Sequence, residues 1–322
     1  MIILTGGAGF IGANMLSALN EMGEENILIV DNIGSTKKWK NLVDKKYGEY
    51  IHKNQLWNWL ENNQGIEVSF VIHLGACTNT METDFDYLYA NNVIYSQKIW
   101  QFCSDRKVPL IYASSAATYG DGSSCFSDDE TNLKNLKPIN QYGYSKHLFD
   151  LWVLQQRKSP PKWYGLKYFN VYGPWEAHKG NMASTAYQKI CEALDTGVIR
   201  LFESHHEKYD HGEQKRDFIF VGDITEIMKY FFLSNNVPSG IYNAGTGTAR
   251  SFNDLANSIF IALDKSANNI EYFDMPKALQ DSYQYVTEAD MSKLFSTGYE
   301  YNSFSLELGI RKYVDWLFSS SI

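Results

Sequence analysis

Tyr142 and Lys146 stand four residues apart in the run Tyr142-Gly143-Tyr144-Ser145-Lys146. On a helix that spacing puts both side chains on one face, one turn apart. A phenol titrates near 10 and is a poor base at neutral pH. A neighbouring ammonium favours its ionised form, so the pair suits moving a proton to and from a hydroxyl group. Upstream, Tyr112-Ala113-Ser114-Ser115-Ala116-Ala117-Thr118-Tyr119-Gly120 carries a serine pair, and Ser115 is assigned to hydrogen-bond the same reacting oxygen. Tyr144 has no lysine four residues on, so the base in this register is Tyr142.

Oxidising a hydroxylated carbon also needs an acceptor for the hydride, and the start of the chain is built to hold one. Thr5-Gly6-Gly7-Ala8-Gly9-Phe10-Ile11-Gly12 follows an apolar run directly and opens a helical stretch. Gly6, Gly9 and Gly12 fall where a strand-to-helix turn must let a diphosphate approach the backbone, and the helix N-terminus supplies N–H donors. Asp31 ends the next apolar run, at about the 20-residue distance at which an acid meets the adenosine ribose of a nicotinamide dinucleotide. Asp31 alone points to NAD; Lys37 and Lys38 in the following loop, with Lys53 beyond, would neutralise the 2′-phosphate of NADP. Local residues leave both open. With that cofactor the positive nicotinamide adds to Lys146 in favouring the Tyr142 phenolate.

The elements that must position these groups alternate. Ile2–Thr5, Ile27–Val30, Phe70–His73 and Leu110–Ala113 read as strands apolar enough to be buried on both faces. Between them Ile11–Met22, a stretch near Gln55–Asn62 and one near Tyr87–Ser104 read as helices. That alternation predicts an α/β fold, a Rossmann-type doubly wound parallel sheet whose ligands sit at the carboxyl ends of the strands. A helix over Tyr142–Gln156, stopped by Pro160-Pro161, and a strand over Trp163–Phe169 follow. From about Val171 glycine-rich and aromatic loops predict a smaller substrate-binding α/β domain. The expected division is 1–170, with a return segment near 217–247, for the dinucleotide domain, and 171–216 with 248–322 for the substrate domain. A closing helix near Leu306–Phe318, with Leu308, Val314, Trp316 and Leu317, reads as packing.

Composition narrows the partners. A net charge of -8 and a pI near 5.4 oppose a nucleic-acid role, because phosphate-backbone binding needs a concentrated basic face. Cys77, Cys103, Cys125 and Cys191 form no CxxC pair and read as reduced thiols. His205, His206 and His211 with Asp210 lack the spacing of a zinc site, so no metal is expected. The chain shows no leader and no long apolar span, which reads as cytoplasmic with no membrane partner.

Several runs then carry a resemblance: Val30-Asp31-Asn32 with Lys38, Gly75-Ala76-Cys77, the serine run from Tyr112, Tyr168-Phe169-Asn170-Val171-Tyr172-Gly173-Pro174, and Glu176-Ala177-His178-Lys179-Gly180-Asn181-Met182-Ala183-Ser184. With these the chain resembles the extended short-chain dehydrogenases/reductases, and within them the family of ADP-L-glycero-D-manno-heptose 6-epimerases of lipopolysaccharide heptose supply. The run from Glu176 is the most diagnostic. The resemblance implies NADP rather than NAD, held at the glycine loop by Phe10 and Ile11, and by Asp31, Asn32, Lys38 and Lys53. Leu74, Gly75, Ala76, Cys77 and Thr78, then Asn91, Lys146, Val171 and Lys179, complete that set. It implies a second acid/base residue, Lys179. Epimerisation at an exocyclic C6″ requires oxidation to a carbonyl, reorientation and hydride return to the other carbonyl face, so a base on each side would serve the two half-reactions. It implies ADP-manno-heptose as the small-molecule substrate, contacted by Asn170, Asn181, Gln188, Phe202, Glu203, Ser204, His205, Arg216 and Tyr283. Arg216 offers a bidentate fork to the diphosphate. A homo-oligomer is also implied, with a homopentamer among the allowed states.

Two departures touch the nucleotide pocket. Gln188 stands where the family pattern has histidine, and the segment His206–Gln214 before Arg216 is longer than the pattern. Rival readings are a UDP-hexose 4-epimerase on the same scaffold, a dehydratase, and a Rossmann redox sensor without catalysis. A dehydratase needs a carboxylic acid after the strand-end serine, where this chain has Ala116-Ala117; a sensor has no need of Tyr142 and Lys146.

Overall fold

The computed structural model describes residues 1–122, 125–265, 269–280, 283–300 and 302–319, which fall into two compact units. The first comprises Met1–Gly120, Asp128–Tyr168 and Thr225–Tyr242. Its elements in chain order are β1 Ile2–Thr5, α1 Phe10–Glu21, β2 Ile27–Asp31, β3 Glu49–His52, α2 Leu56–Asn62, β4 Phe70–His73, α3 Phe85–Leu88, α4 Tyr95–Arg106, β5 Leu110–Ser115, α5 Gln141–Leu154 and β6 Trp163–Tyr168. Among the described residues the sheet has seven strands in the order β11-β6-β5-β4-β1-β2-β3, where β11 is Gly240–Ala244. The pairs β1–β2, β1–β4, β2–β3, β4–β5 and β5–β6 are parallel. The order reverses at β1, which puts the loops after β1, β4 and β5 at the switch point where such sheets bind ligands.

β1, β2 and β4 are buried at every residue. Ile3, Leu28, Val71 and Tyr112 from the strands pack with Trp100, Phe149 and Val153 from α4 and α5 in one cluster. That packing holds α5, which carries Tyr142 and Lys146, against β5, which ends in the serine pair. α5 is capped by Asn140, whose side chain accepts from the Gly143 N–H at 2.7 Å, and it ends at Leu154, short of the prolines. β3 has no continuous apolar run because it lies at the sheet edge, where only Ile51 is buried. The helical stretch around Tyr87–Ser104 is interrupted: a π turn over Tyr89–Ile94 separates α3 from α4, a feature that re-aims side chains and often accompanies function.

The second unit comprises Asp121–Ser127, Phe169–Ile224 and Asn243–Ile322. It contains β7 Asn170–Tyr172, α6 Thr185–Thr196, β8 Ile199–Phe202, β9 Lys215–Arg216, β10 Phe218–Phe220, the start of α7 Val221–Leu233, β12 Arg250–Ser251, α8 Phe252–Ala262, β13 Ile270–Phe273, α9 Lys277–Gln280, α10 Ser292–Ser296 and α11 Leu306–Ser319. β10 pairs with β7, β13 with β8 and β12 with β9. The β7–β10 pairing is why the return to the first unit starts at Thr225, later than the 217 expected from sequence. In α11 the buried face is Leu306, Ile310, Tyr313 and Val314, at helical spacing, whereas Leu308 is exposed. Among the described residues no helix is long and apolar enough to cross a membrane.

Candidate active site

The glycine loop is shaped by clashes that a side chain would create. Gly6 has φ +72°, and a Cβ there would lie 2.7 Å from the Gly75 nitrogen. A Cβ on Gly12 would lie 2.1 Å from the Gly6 carbonyl oxygen, so α1 can pack this close to its own turn only with glycine. Gly9 caps α1 with no side-chain bond, and a Cβ on it would meet the Gly6 oxygen at 3.0 Å. Phe10 and Ile11 open α1, whose first N–H groups have no acceptor within the helix. The loop therefore fits a diphosphate. Asp31 braces it: its carboxylate accepts from Ala8 N at 2.9 Å and Asn32 N at 2.7 Å, and pairs with Lys38 Nζ at 2.6 Å. Lys53 donates to the Asn91 side chain, and His52, absent from the sequence reading, contacts Asn32 Oδ1 at 3.3 Å.

The Leu74–Thr78 loop is tied to the glycine loop and to the π turn. Leu74 N donates to the Thr5 carbonyl at 3.0 Å and Gly75 N to Thr5 Oγ1 at 3.1 Å. Cys77 N donates to Asn92 Oδ1 at 2.8 Å. The π turn gives Asn91 and Asn92 different tasks. Asn91 meets Lys53, while the buried Asn92 donates to Cys77 O and to Ser145 Oγ, each at 3.0 Å, and Ser145 in turn donates to the Tyr142 carbonyl at 2.7 Å. Sequence reading assigned Asn91 and missed Asn92; its one signal is a second asparagine inside an otherwise helical run.

Ser114 and Ser115 face different ways. Ser114 is buried and donates to Asp150 at 2.7 Å. Ser115 hydrogen-bonds the Tyr142 phenol and also accepts from Ala117 N at 3.1 Å. The sequence reading has Lys146 favour the Tyr142 phenolate. In the structure burial dominates and pushes the phenol up, with the Ser115 bond acting in the opposite direction. The Lys146 ammonium donates to the Ala113 carbonyl at 2.8 Å. Burial lowers its pKa to about 8, with Asp150 and then Cys77 opposing. Tyr142 is thus held protonated, as a proton donor, by these residues alone.

The remaining candidates belong to the second unit. Lys179 is half-buried in the loop between β7 and α6; its N–H donates to the Glu176 carbonyl at 2.9 Å. Burial lowers its pKa and Glu176 opposes this. Gly180 has φ +54° with open space around it, so glycine serves the turn and not packing. The fully buried Glu176 carboxylate closes both ends of this loop, accepting from Gly173 N at 3.1 Å, Ser184 Oγ at 2.7 Å and Ser184 N at 2.6 Å. Gln188 adds donors to the Asn181 and Ala183 carbonyls at 3.1 and 2.8 Å. Gln188 therefore braces the loop.

Arg216, Phe202 and Tyr283 come together. The Arg216 guanidinium lies 5.0 Å from the centre of the Tyr283 ring and 5.6 Å from that of Phe252, and Phe202 meets Tyr283 edge-on at 6.4 Å. The long segment before Arg216 extends this aromatic group, with Tyr209 stacked on Tyr285 at 5.2 Å. Glu203 N bonds the Phe273 carbonyl at 2.9 Å, Ser204 N the His211 ring at 2.9 Å, and His205 N the Tyr285 hydroxyl at 3.1 Å. Asn170 and Val171 lie on β7, where Asn170 Oδ1 accepts from Thr287 at 3.4 Å. Among the described residues no group of three or more His, Cys, Asp or Glu side chains could hold a metal ion.

A model of the NAD dependent epimerase/dehydratase family matches residues 2–245. The ADP-L-glycero-D-manno-heptose-6-epimerase of Fusobacterium nucleatum is 47% identical over 324 residues, 98% of this chain and 97% of that protein. Its namesake from Nitratidesulfovibrio vulgaris is 46% identical over 315 residues with the same coverage. The crystal structure of the Helicobacter pylori ADP-L-glycero-D-manno-heptose-6-epimerase superimposes with a TM-score of 0.83 at 28% identity, covering 99% of this chain and 96% of that one. A Thermotoga maritima UDP-glucose 4-epimerase reaches a TM-score of 0.81 at 21% identity over 100% and 99% of the two chains, a likeness of fold alone.

Proposed function

The chain belongs to the NAD dependent epimerase/dehydratase family, and from that premise we propose that it is an isomerase interconverting ADP-D-glycero- and ADP-L-glycero-β-D-manno-heptose at C6″. What most supports this substrate is the run Glu176–Ser184, with Lys179 held in a loop clamped by a buried carboxylate, in a chain 47% identical over its length to a protein of that name. A nicotinamide dinucleotide held at the glycine loop by Gly6, Gly9 and Gly12 would supply reversible hydride transfer at C6″. C6″ bears two carbon neighbours, so the oxidised sugar is a ketone, and returning the hydride to its other face inverts the centre.

The chain's own residues handle the proton. Tyr142, with Ser115 on its phenol oxygen, serves one half-reaction and Lys179 the other: one takes the proton of the C6″ hydroxyl and the other gives a proton to the ketone oxygen. The burial that raises the Tyr142 pKa suits the donor stage. Its base stage would draw on the positive charge of Lys146 and of the oxidised nicotinamide when bound. Asn170, Asn181, Phe202–His205, Arg216 and Tyr283 hold the ADP-heptose, with the guanidinium of Arg216 directed to phosphate. The cofactor is NADP. Lys38 compensates the Asp31 carboxylate, which would otherwise repel a 2′-phosphate, and Lys53 adds a second cation.

Incubating the purified protein with the D,D isomer and resolving the products by anion-exchange chromatography tests the reading. Appearance of the L,D isomer without added cofactor is expected. No isomer change, with turnover of a UDP-hexose instead, would overturn it.

A further inference from the structure

Behind the serine pair lies a charged cluster that takes no part in the proton transfers above. Asp150 and Lys167 are both fully buried, and Lys167 Nζ meets Asp150 Oδ2 at 2.6 Å. The same carboxylate accepts from Ser114 Oγ at 2.7 Å and from the Tyr112 hydroxyl at 3.2 Å. Lys167 also donates to Thr118 Oγ1 at 2.6 Å, and Thr118 donates to the Ser115 carbonyl at 2.8 Å. Asp150 sits on α5 one turn beyond Lys146, Tyr112 and Ser114 are on β5, and Lys167 is on β6. Asp150 therefore ties the helix bearing Tyr142 and Lys146 to β5, which ends in Ser115, through Ser114 and Tyr112, and to β6 through the ion pair.

We propose that Asp150 and Lys167 are positioning residues: they set α5 in register with the end of β5, and Asp150 supplies the counter-charge to the Lys146 ammonium. This rests on the reading of Tyr142 and Lys146 as the redox pair. A buried ion pair is a weak device for stability alone, since packed apolar side chains of like volume do as well. Its presence beneath a catalytic lysine points to an electrostatic task. The groups bearing on Lys146 are Asp150 on its own helix, Cys77 from the loop after β4, and His73 at the end of β4. Burial keeps the His73 imidazole and the Cys77 thiol neutral near pH 7, so neither can do this work.

The test is the pH dependence of epimerisation, with Lys146 also titrated directly by NMR of nitrogen-15-labelled lysine, a readout that needs no turnover. Asp150→Asn removes the negative charge and is expected to move the Lys146 titration down by roughly one unit. Asp150→Asn alone leaves Lys167 without its counter-ion. The double variant Asp150→Asn/Lys167→Met removes both charges; loss of Lys167 relieves its repulsion of Lys146, so a smaller downward movement is expected there if the single variant fails to fold. Lys167→Arg keeps the charge and should leave the titration at the wild-type position. An unmoved Lys146 titration in a folded Asp150→Asn or double variant would overturn the proposal and leave the pair a packing element. Tyr142→Phe, assayed alongside, reports on the parent reading: full activity there removes the redox pair itself, whatever Asp150 does.

Discussion

Replacing Glu176 by glutamine changes the chemistry of a side chain whose two oxygens are both engaged. Oε1 accepts from Gly173 N at 3.1 Å and Ser184 Oγ at 2.7 Å, and Oε2 accepts from Ser184 N at 2.6 Å. An amide must turn its NH2 toward one of these sides. Facing Ser184 N it sets two donors against each other at the shorter distance. Facing Gly173 N it leaves one buried N–H unmet while the Ser184 hydroxyl can rotate to accept, so this is the cheaper arrangement. An unmet buried N–H costs about 1–3 kcal/mol, and bonds to a neutral acceptor are weaker than those to a carboxylate. Against this, burial raises the Glu176 pKa, and the variant escapes the cost of a buried charge. The net expectation is a loss of about 1–3 kcal/mol, read as a fall in the urea midpoint at constant slope. Glu176 also holds up the Lys179 pKa, so in the variant the lysine titration moves down and the acid limb of the rate profile follows it. An unfolding free energy within about 0.5 kcal/mol of wild type, the range of ordinary surface changes, would refute the clamp.

A Cβ at Gly12 would lie 2.1 Å from the Gly6 oxygen, so Gly12→Ala should weaken dinucleotide binding at least tenfold, about 1.4 kcal/mol, in a fluorescence titration. Lys38→Ala strips the counter-ion from Asp31, and the ratio of NADP to NAD affinity should fall by about tenfold or more; an unchanged ratio would assign the discrimination elsewhere. His73 is buried between Thr5 and Ser96, with its pKa lowered to about 3 by burial and then by Lys146. Its stabilising share is complete above the unfolded value near 6.5 and is lost as pH falls from there toward 3, at up to about 1.4 kcal/mol per pH unit. Acid titration of stability should therefore be flatter in His73→Gln than in wild type.

Much of the first unit could be read from residue order because its strands are buried on both faces: Ile2–Thr5 and Phe70–His73 are continuous apolar runs, and their limits match the structure. β3 escaped because an edge strand half-open to solvent carries no such run. The glycine loop, Tyr142 and Lys146 were legible because spacing on a turn or a helix determines their geometry. Asp150, Lys167 and Asn92 were not, because their meaning lies in contacts between elements: Lys167 reaches α5 from β6, and Asn92 reaches Ser145 from a π turn that periodicity cannot register. Glu176 lies inside the run Glu176–Ser184, yet its place as a clamp depends on bonds eight residues apart in the chain. The upward shift of Tyr142 is not legible in spacing because it comes from burial, which outweighs the Ser115 hydrogen bond acting in the other direction.

The central claim is that a hydride leaves C6″ and comes back to the same carbon. ADP-D-glycero-D-manno-heptose deuterated at C6″, incubated with the protein in ordinary water without added cofactor, tests it most directly by mass spectrometry of the separated isomers. The account predicts the L-glycero isomer with its deuterium retained. Epimerisation with deuterium exchanged for solvent hydrogen would contradict it, since that result requires proton abstraction at carbon and no hydride transfer.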